Sequence, residues 1–456
     1  MKGRQGGPAV GLSPRRAALR ILGQVRAGRP FDAALDRAVN RLGRADRRLA
    51  HEMAAGVLRR RQRLDAQLAP LVPRGWDKVA PELQDVLRLG AFQLTALDRV
   101  PAHAAVDTSV ALAKEAGGAR AGGFVNAVLR RLGSAPAEPA AAARDAPPAA
   151  RLAESHSHPL WLVERWLERY GPEQTERLLR WNNTRPRLVL QPAREGLQDL
   201  EQRWRNAGIE VEPAPYGAGL VTNRTRPQEL PGFEDGAFIV QDPSQALLGW
   251  FADLPPGATL YDASAAPGGK TLALGRDAGR VVAGDVNPAR VRRLAENLRR
   301  AGSGREHAVV ADARYPPLRR VDAVLLDAPC LGTGSFARHP DARERVTPEA
   351  LGRLERLQGE LLDRVAGALA SGGLLIYSTC SLEPEENQRQ VERFLSRHPD
   401  FGREPSETFP PALLTADGDL MTLPQRDAMD GAFAARLRRN PFRASPSRVG
   451  PSRAGA

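Results

Sequence analysis

The chain contains two cysteines, and each closes a strongly apolar segment: Cys330 ends VDAVLLDAPC and Cys380 ends GGLLIYSTC. Both fall where a strand is expected to hand over to a loop. In an open parallel sheet, that carboxyl edge is where ligands and reacting groups collect. A thiol placed there becomes a nucleophile once ionised. The other uses of two such residues are a small buried hydrophobe or a disulfide.

A third segment, DASAAPGGKT from Asp262 to Thr271, follows another apolar run. Its glycines let backbone approach a ligand closely, and the helix expected after it offers free N–H groups. A phosphate-binding P-loop requires glycine five residues before the Gly-Lys pair, and Ser264 stands there. The G-x-G-x-x-G fingerprint of dinucleotide sites is absent from this loop. Two acids end the next two apolar runs. Asp285 in GDVNPAR suits the two hydroxyls of a ribose, and Asp312 in ADAR suits an adenine edge. Together the three segments point to an adenosine-containing cofactor held without a phosphate requirement, which S-adenosylmethionine satisfies. Lys270 either neutralises the local acids or touches ligand. Lysine occurs elsewhere only at Lys2, Lys78 and Lys114, which favours a specific role.

Cys330 belongs to Asp327-Ala328-Pro329-Cys330. Enzymes that methylate exocyclic amines commonly carry an aromatic at this place to stack on the base. A thiol in that slot favours attack on a ring carbon instead. Addition of a thiolate to C6 of cytosine breaks the conjugation and makes C5 electron-rich enough to accept a methyl group. If the strands ending at Cys330 and Cys380 are neighbours, about 4.8 Å apart, both thiols can face one flipped base. A free thiol has a pKa of about 8.5 and needs help to ionise. A helix expected from Pro384 favours the thiolate of Cys380, whereas Glu383, Glu385 and Glu386 oppose it. His339 in RHPDAR is a candidate base for the C5 proton or a structural loop histidine, and Arg338 beside it is a candidate phosphate contact.

These residues need a scaffold, and the hydrophobic periods supply one. From about Ser13 to Leu132 the chain reads as helices, with apolar stripes such as Ala18, Ile21, Leu22, Val25 and Val125, Val128, Leu129, Leu132. Breakers at Gly28 to Pro30, Pro70 to Gly75, Pro101 and Gly117-Gly118 divide them. Residues 134–150 are rich in alanine and proline and read as a linker. Residues 151–236 mix helices with short strands, as expected of a small α/β domain. From 237 to 439, apolar strands alternate with amphipathic helices, which implies a mostly parallel sheet covered on both faces. The remainder, 440–456, is Pro/Ser/Arg-rich and is expected to be disordered.

Composition narrows the partners. The net charge is +13, which favours a polyanion through counterion release. Arginine clusters at Arg47-Arg48, at Arg59, Arg60, Arg61 and Arg63, and at Arg130-Arg131 are either polar helix faces or RNA contacts. No apolar run approaches the length of a membrane span. The basic N-terminus lacks the apolar stretch of a secretory signal. Two cysteines cannot build a disulfide scaffold, in keeping with a reducing, cytoplasmic compartment.

The segments DASAAPGGKT, GDVNPAR, LDAPCLGTGSFARHPDAR and YSTCSLEPEENQRQV, with QDPSQALL before them and DGAFAARLRR after, resemble the RNA cytosine-C5 methyltransferases of the Nop2/Sun type. Through ALRIL, LRLGAFQL and GFVNAVLRRL, the helical domain resembles the NusB-like RNA-binding fold. The combination looks like the bacterial small-subunit (16S) rRNA methyltransferases, and the middle segment would be their RRM-like domain. The resemblance implies an α/β multi-domain chain: all-α NusB-like, small α+β RRM-like, then a Rossmann-like S-adenosylmethionine-dependent catalytic domain. It implies that Cys380 attacks C6, that Cys330 assists product release, and that Asp327 holds the N3/N4 edge of the cytosine. Ser264, Ala265, Ala266, Pro267, Gly268, Gly269 and Lys270 would surround the methionine part of the cofactor, Asp285 its ribose and Asp312 its adenine. The family often has cysteine where Ser264 stands. Ribosomal RNA is the implied partner, with no metal and no membrane, and a monomer is expected. The rival expectations are a non-catalytic RNA-binding assembly factor, a C5-methyltransferase of another RNA such as tRNA, and an amine methyltransferase.

Overall fold

The computed structural model describes residues 11–134, 146–224 and 226–441. They divide into two compact units: Met1–Thr184 with Phe336–Arg345, and Arg185–Ser335 with Val346–Ala456. Of the expected linker, 135–145 lies outside the described residues, and Pro148 already starts the helix Pro148–His156. Of the expected tail, 442–456 lies outside them.

The first unit is helical. Helices Leu12–Arg26, Phe31–Val39, Arg44–Arg59, Arg61–Leu68, Pro81–Ala96 and Ala102–Ser134 are followed by Pro148–His156 and Leu160–Asn182. The apolar stripes meet in one core containing Ile21, Leu22, Met53, Val57, Leu87, Phe92, Val125 and Leu129. The long helix Ala102–Ser134 is interrupted at Gly117 and Gly118, where the sequence places a breaker.

A buried polar cluster in this unit centres on Arg343. Arg343 is buried, and its guanidinium donates to the carbonyls of Arg59 and Asn182 and to Asn183 Oδ1. Burial, helped by Arg59, pushes its pKa down to about 9. Arg59 in turn donates to Ala337 O at 3.0 Å. The segment Phe336–Arg345 thus belongs to the helical unit by hydrogen bonding as well as by packing. Arg59 is therefore an interior residue, neither part of a polar helix face nor open to RNA. Arg47 is also engaged internally, donating to Leu42 O and Asn40 O.

The second unit holds two sheets. The smaller is antiparallel, in the order β2-β3-β1-β4, from β1 (Leu188–Pro192), β2 (Val211–Pro213), β3 (Leu220–Thr222) and β4 (Phe238–Val240). Helix Leu197–Asn206 covers it, with Trp204 edge-on to Phe238 at 5.1 Å. The fourth strand lies past residue 236, where the sequence reading ends the middle segment.

The larger sheet contains β5 (Thr259–Asp262), β6 (Arg280–Asp285), β7 (Glu306–Val310), β8 (Val321–Asp327), β9 (Leu369–Thr379), β10 (Phe401–Arg403), β11 (Leu420–Thr422) and β12 (Ala432–Arg439). Its order is β10-β12-β9-β8-β5-β6-β7, with β11 on β12. From β9 to β7 the pairing is parallel, whereas β12 is antiparallel to β9. The central strands are apolar throughout because both faces are buried. Val324 and Leu326 pack with Leu361, Leu362, Val365 and Phe394 on one face. Ala323 and Leu325 pack with Leu247, Leu248 and Phe251 on the other. This alternation holds β8 and β9 in register and fixes which residues leave the sheet side by side.

The Arg343 cluster yields a stability prediction. Arg343→Met should strip donors from several buried carbonyls and destabilise the helical unit by about 3 kcal/mol. Chemical denaturation followed by far-UV circular dichroism measures this; an unchanged midpoint would contradict the assignment.

Candidate active site

The parallel pairing of β8 and β9 sets Asp327 opposite Ser378. Each strand then runs out into its own loop, and the two cysteines converge with their Sγ atoms 3.4 Å apart. Both are free thiols of intermediate burial. The two strands are neighbours, and their cysteines meet in a sulfur contact at the carboxyl edge of the sheet.

The surroundings of the two sulfurs differ. Lys270 Nζ lies 2.5 Å from Asp327 Oδ2, and its side chain is only 16% exposed. Burial alone would push the ammonium's pKa down, but Asp327 and the two thiols hold it above its ordinary value. Asp327 Oδ1 also accepts from the Ser378 hydroxyl at 3.0 Å. The thiol of Cys380 is held below its ordinary pKa, first by the hydrogen bond from Cys330 and then by Lys270, against burial. Cys330 is pushed well up by that same bond, by burial, and by the charges of Cys380, Glu386 and Asp327. The shared contact thus favours ionisation of one thiol and protonation of the other.

The helix expected from Pro384 starts instead at Gln388. Residues 384–387 are a turn, in which Asn387 binds Thr379 Oγ1 and Ser381 O. The polarising charge on Cys380 is therefore Lys270 rather than a nearby helix N-terminus. Of the glutamates, Glu386 is buried and its charge helps hold the Cys330 thiol up.

The loop after β5 is tied at both ends by Asp262, which accepts from the Ser264 N–H at 3.3 Å and from the Thr271 hydroxyl at 2.6 Å. Asp262 is buried, and burial pushes it up to about 7 despite those bonds. Between the ties, Ala265 N donates to Gly284 O at 2.8 Å, and Ala265 and Ala266 pack on Ala283, Leu294 and Leu298. Gly268 has φ +108°, and a Cβ there would meet Leu294 at 2.9 Å, so glycine is required. Pro267 precedes it, and Gly269 opens the helix Gly269–Leu274 that carries Lys270.

Asp285 ends β6, next to β5. One carboxylate oxygen accepts from the Asn287 N–H at 2.9 Å and the other faces Arg290 at 3.2 Å. Asp312 lies two residues beyond the end of β7. Arg314 grips it in a fork and holds its pKa below the ordinary value. Val286 and Val310, beside these acids in the chain, are 63% and 58% exposed. Carboxylates that accept from hydroxyls, and bare apolar side chains for a ring face, are the groups that an adenosine moiety requires. The Tyr261 hydroxyl, buried beside Gly284, has no hydrogen-bond partner among the described residues. The residues present therefore fit an adenosine cofactor.

His339 belongs to the helical unit, half exposed, with Nδ1 3.8 Å from Asp32. Two buried polar residues escaped the sequence reading of the site, Asp262 and Gln358. Gln358 carried a signal, since it occupies a core position of an amphipathic helix with Leu351, Leu361, Leu362 and Val365.

Comparisons with known proteins bear on this geometry. Residues 252–438 match the family described as 16S rRNA methyltransferase RsmB/F, residues 12–134 the NusB family, and residues 158–227 the ferredoxin-like domain of RsmF/B-like methyltransferases. A Synechocystis protein named probable ribosomal RNA small subunit methyltransferase B is 36% identical, with 94% of this chain and 100% of that protein covered. The chain belongs to the ribosomal RNA small subunit methyltransferase B family. Another relative in that family, from Thermus thermophilus, is 34% identical over 94% of this chain and 98% of its own. The chain is thus an RNA methyltransferase with a NusB-like helical domain, a ferredoxin-like domain and a mostly parallel methyltransferase sheet. Among solved structures, that of PH0851 has a TM-score of 0.79 at 24% identity, covering 95% of this chain and 100% of that one. A Pyrococcus horikoshii methyltransferase homologue has a TM-score of 0.54 at 26% identity, covering 66% and 99%. Among the described residues, no helix is long and apolar enough to cross a membrane.

The buried carboxyl of the loop yields a pH prediction. Asp262 keeps its proton in the folded state up to about 7, whereas the unfolded chain loses it near 4. Wild-type stability from this group is full below about 4 and is lost as pH rises to about 7. Asp262→Asn has no proton to lose, so its stability relative to wild type should rise across that window by about 2–4 kcal/mol. Urea unfolding at pH 5, 6, 7 and 8 tests this; a difference independent of pH would refute it.

Proposed function

We propose that this protein methylates C5 of a cytosine in RNA, with 16S rRNA as substrate and S-adenosylmethionine as methyl donor, through a transient bond between Cys380 and C6. The observation that carries the reading is the pair of thiols 3.4 Å apart, one beside Lys270 and the other beside Glu386. An amine methyltransferase has no use for two sulfurs at this place.

Cys380 is the nucleophile because its neighbours favour the thiolate. Its sulfur adds to C6, and the ring electrons shift toward C5. Asp327, held by Lys270 and Ser378, has lone pairs left on both oxygens for the amine edge of the base. When bound, the cofactor supplies a methyl group on a sulfonium, an electrophile for the activated C5. Residues 264–270 would enclose its methionine part, Asp285 the ribose hydroxyls and Asp312 the adenine. In release, a base takes the C5 proton, the C5–H electron pair forms the C5=C6 bond, and the C6–Sγ pair returns to Cys380. Cys330, which keeps its proton beside the departing sulfur, assists that step. The surplus of arginine supplies the counter-charge for the phosphates of the substrate.

The test is methyl transfer from labelled S-adenosylmethionine to small-subunit rRNA, with bisulfite sequencing of the product. Cys380→Ala should lower turnover by at least about 10³-fold and leave no covalent RNA adduct. Cys330→Ala should accumulate an adduct that survives denaturation. An N-methyl product, or no transfer to any RNA with cofactor still bound, would overturn the proposal. The second result would favour an assembly factor.

A further inference from the structure

The backbone around Cys330 is gripped from both sides. Gln358 Nε2, from helix Pro348–Ala366, donates to Pro329 O at 2.9 Å. The same nitrogen donates to Glu386 Oε1 at 2.9 Å. The Glu386 carboxylate accepts the Leu331 N–H, at 3.1 Å to Oε1 and 3.3 Å to Oε2. Both side chains are fully buried. Glu386 is anchored in turn, because its own carbonyl accepts from the Tyr377 hydroxyl at 2.6 Å.

Pro329 O belongs to the peptide group before Cys330, and Leu331 N–H to the one after it. Fixing both peptide planes fixes φ and ψ of Cys330, and so the direction of its Cα–Cβ bond. A buried carboxylate is costly unless hydrogen-bonded, so its presence here calls for a return. A leucine at residue 386 would pack without that cost, but it would leave the Leu331 N–H unpaired.

We propose that Gln358 and Glu386 are positioning residues that clamp the Cys330 loop and hold its sulfur on Cys380 for the release step. The inference rests on the reading that Cys380 attacks and Cys330 assists release. The electrostatics agree with the geometry. Cys380, Glu386 and Asp327 are the charges that hold Cys330 up, and Lys270, across the pair, stabilises the thiolate of Cys380. The clamp thus fixes where the Cys330 sulfur sits and favours its protonated form. Neither residue touches the reacting atoms.

The test uses the full-length protein with Glu386→Gln and Gln358→Ala. Alkylation of Cys330 by iodoacetamide at pH 8 is followed in a Cys380→Ser background, and the lifetime of the RNA adduct is followed with Cys380 intact. Glu386→Gln removes the charge, so Cys330 should alkylate about tenfold faster. The adduct should persist about tenfold longer, while the first methyl transfer stays within about twofold. Gln358→Ala, which keeps the carboxylate, should lengthen the adduct and shift alkylation less. Wild-type alkylation and wild-type release in both variants would overturn the proposal. So would parallel loss of methyl transfer, adduct and thermal stability, because that pattern marks a purely structural role. If Cys330→Ala itself leaves no long-lived adduct, the release reading fails instead, and the alkylation arm alone decides the clamp.

Discussion

The site depends on one alignment, the parallel register that places Asp327 of β8 opposite Ser378 of β9. Because both strands leave the sheet at the same level, two sulfurs distant in sequence come within 3.4 Å. Proximity alone would make them equivalent, or a disulfide. The charges around them break the equivalence. Lys270 arrives from the loop after β5, the next strand over, and Glu386 from the turn after β9. The sheet therefore delivers two thiols of unequal acidity to one place by topology, with no need for either cysteine to be unusual in itself.

The same topology connects this chemistry to the loop expected to hold the cofactor. β5 lies between β8 and β6, so the loop carrying Ser264 to Lys270 sits between the cysteine strands and the acid strands. Lys270 belongs to both neighbourhoods: it is on the helix that opens at Gly269, yet it pairs with Asp327. This explains why lysine, rare in the chain, stands at that position. Arginine's planar fork is bulkier and could not offer a compact point charge in so closed a space.

Much of the architecture was legible because it rests on period and punctuation. Apolar runs of strand length, each followed by an amphipathic helix, determine a parallel sheet covered on both faces, and stripes such as Ile21, Leu22 and Val25 determine the helical core. The motif residues were legible because strand ends are. What escaped was non-local. Arg59 looked like one of a row of surface arginines, but its guanidinium is buried against Ala337, a residue far away in sequence. The helix after Cys380 was expected at Pro384, yet Glu386 and Asn387 are drawn inward to Leu331, Thr379 and Ser381, which delays the first turn to Gln388. Gln358 and Glu386 carry ordinary helix-forming side chains, and only the fold shows that they point at the peptide groups around Cys330.

Which sulfur bonds the base decides the mechanism. RNA carrying 5-fluorocytosine lacks the C5 hydrogen whose loss permits release, so it arrests the reaction at the covalent stage. Digestion of the arrested complex and mass spectrometry of the cross-linked peptide identify the attachment site. Attack by Cys380 places a methylated fluoropyrimidine on the peptide that contains this cysteine; attachment at Cys330, or C5 methylation of ordinary RNA with no arrest by the fluorinated one, would contradict it.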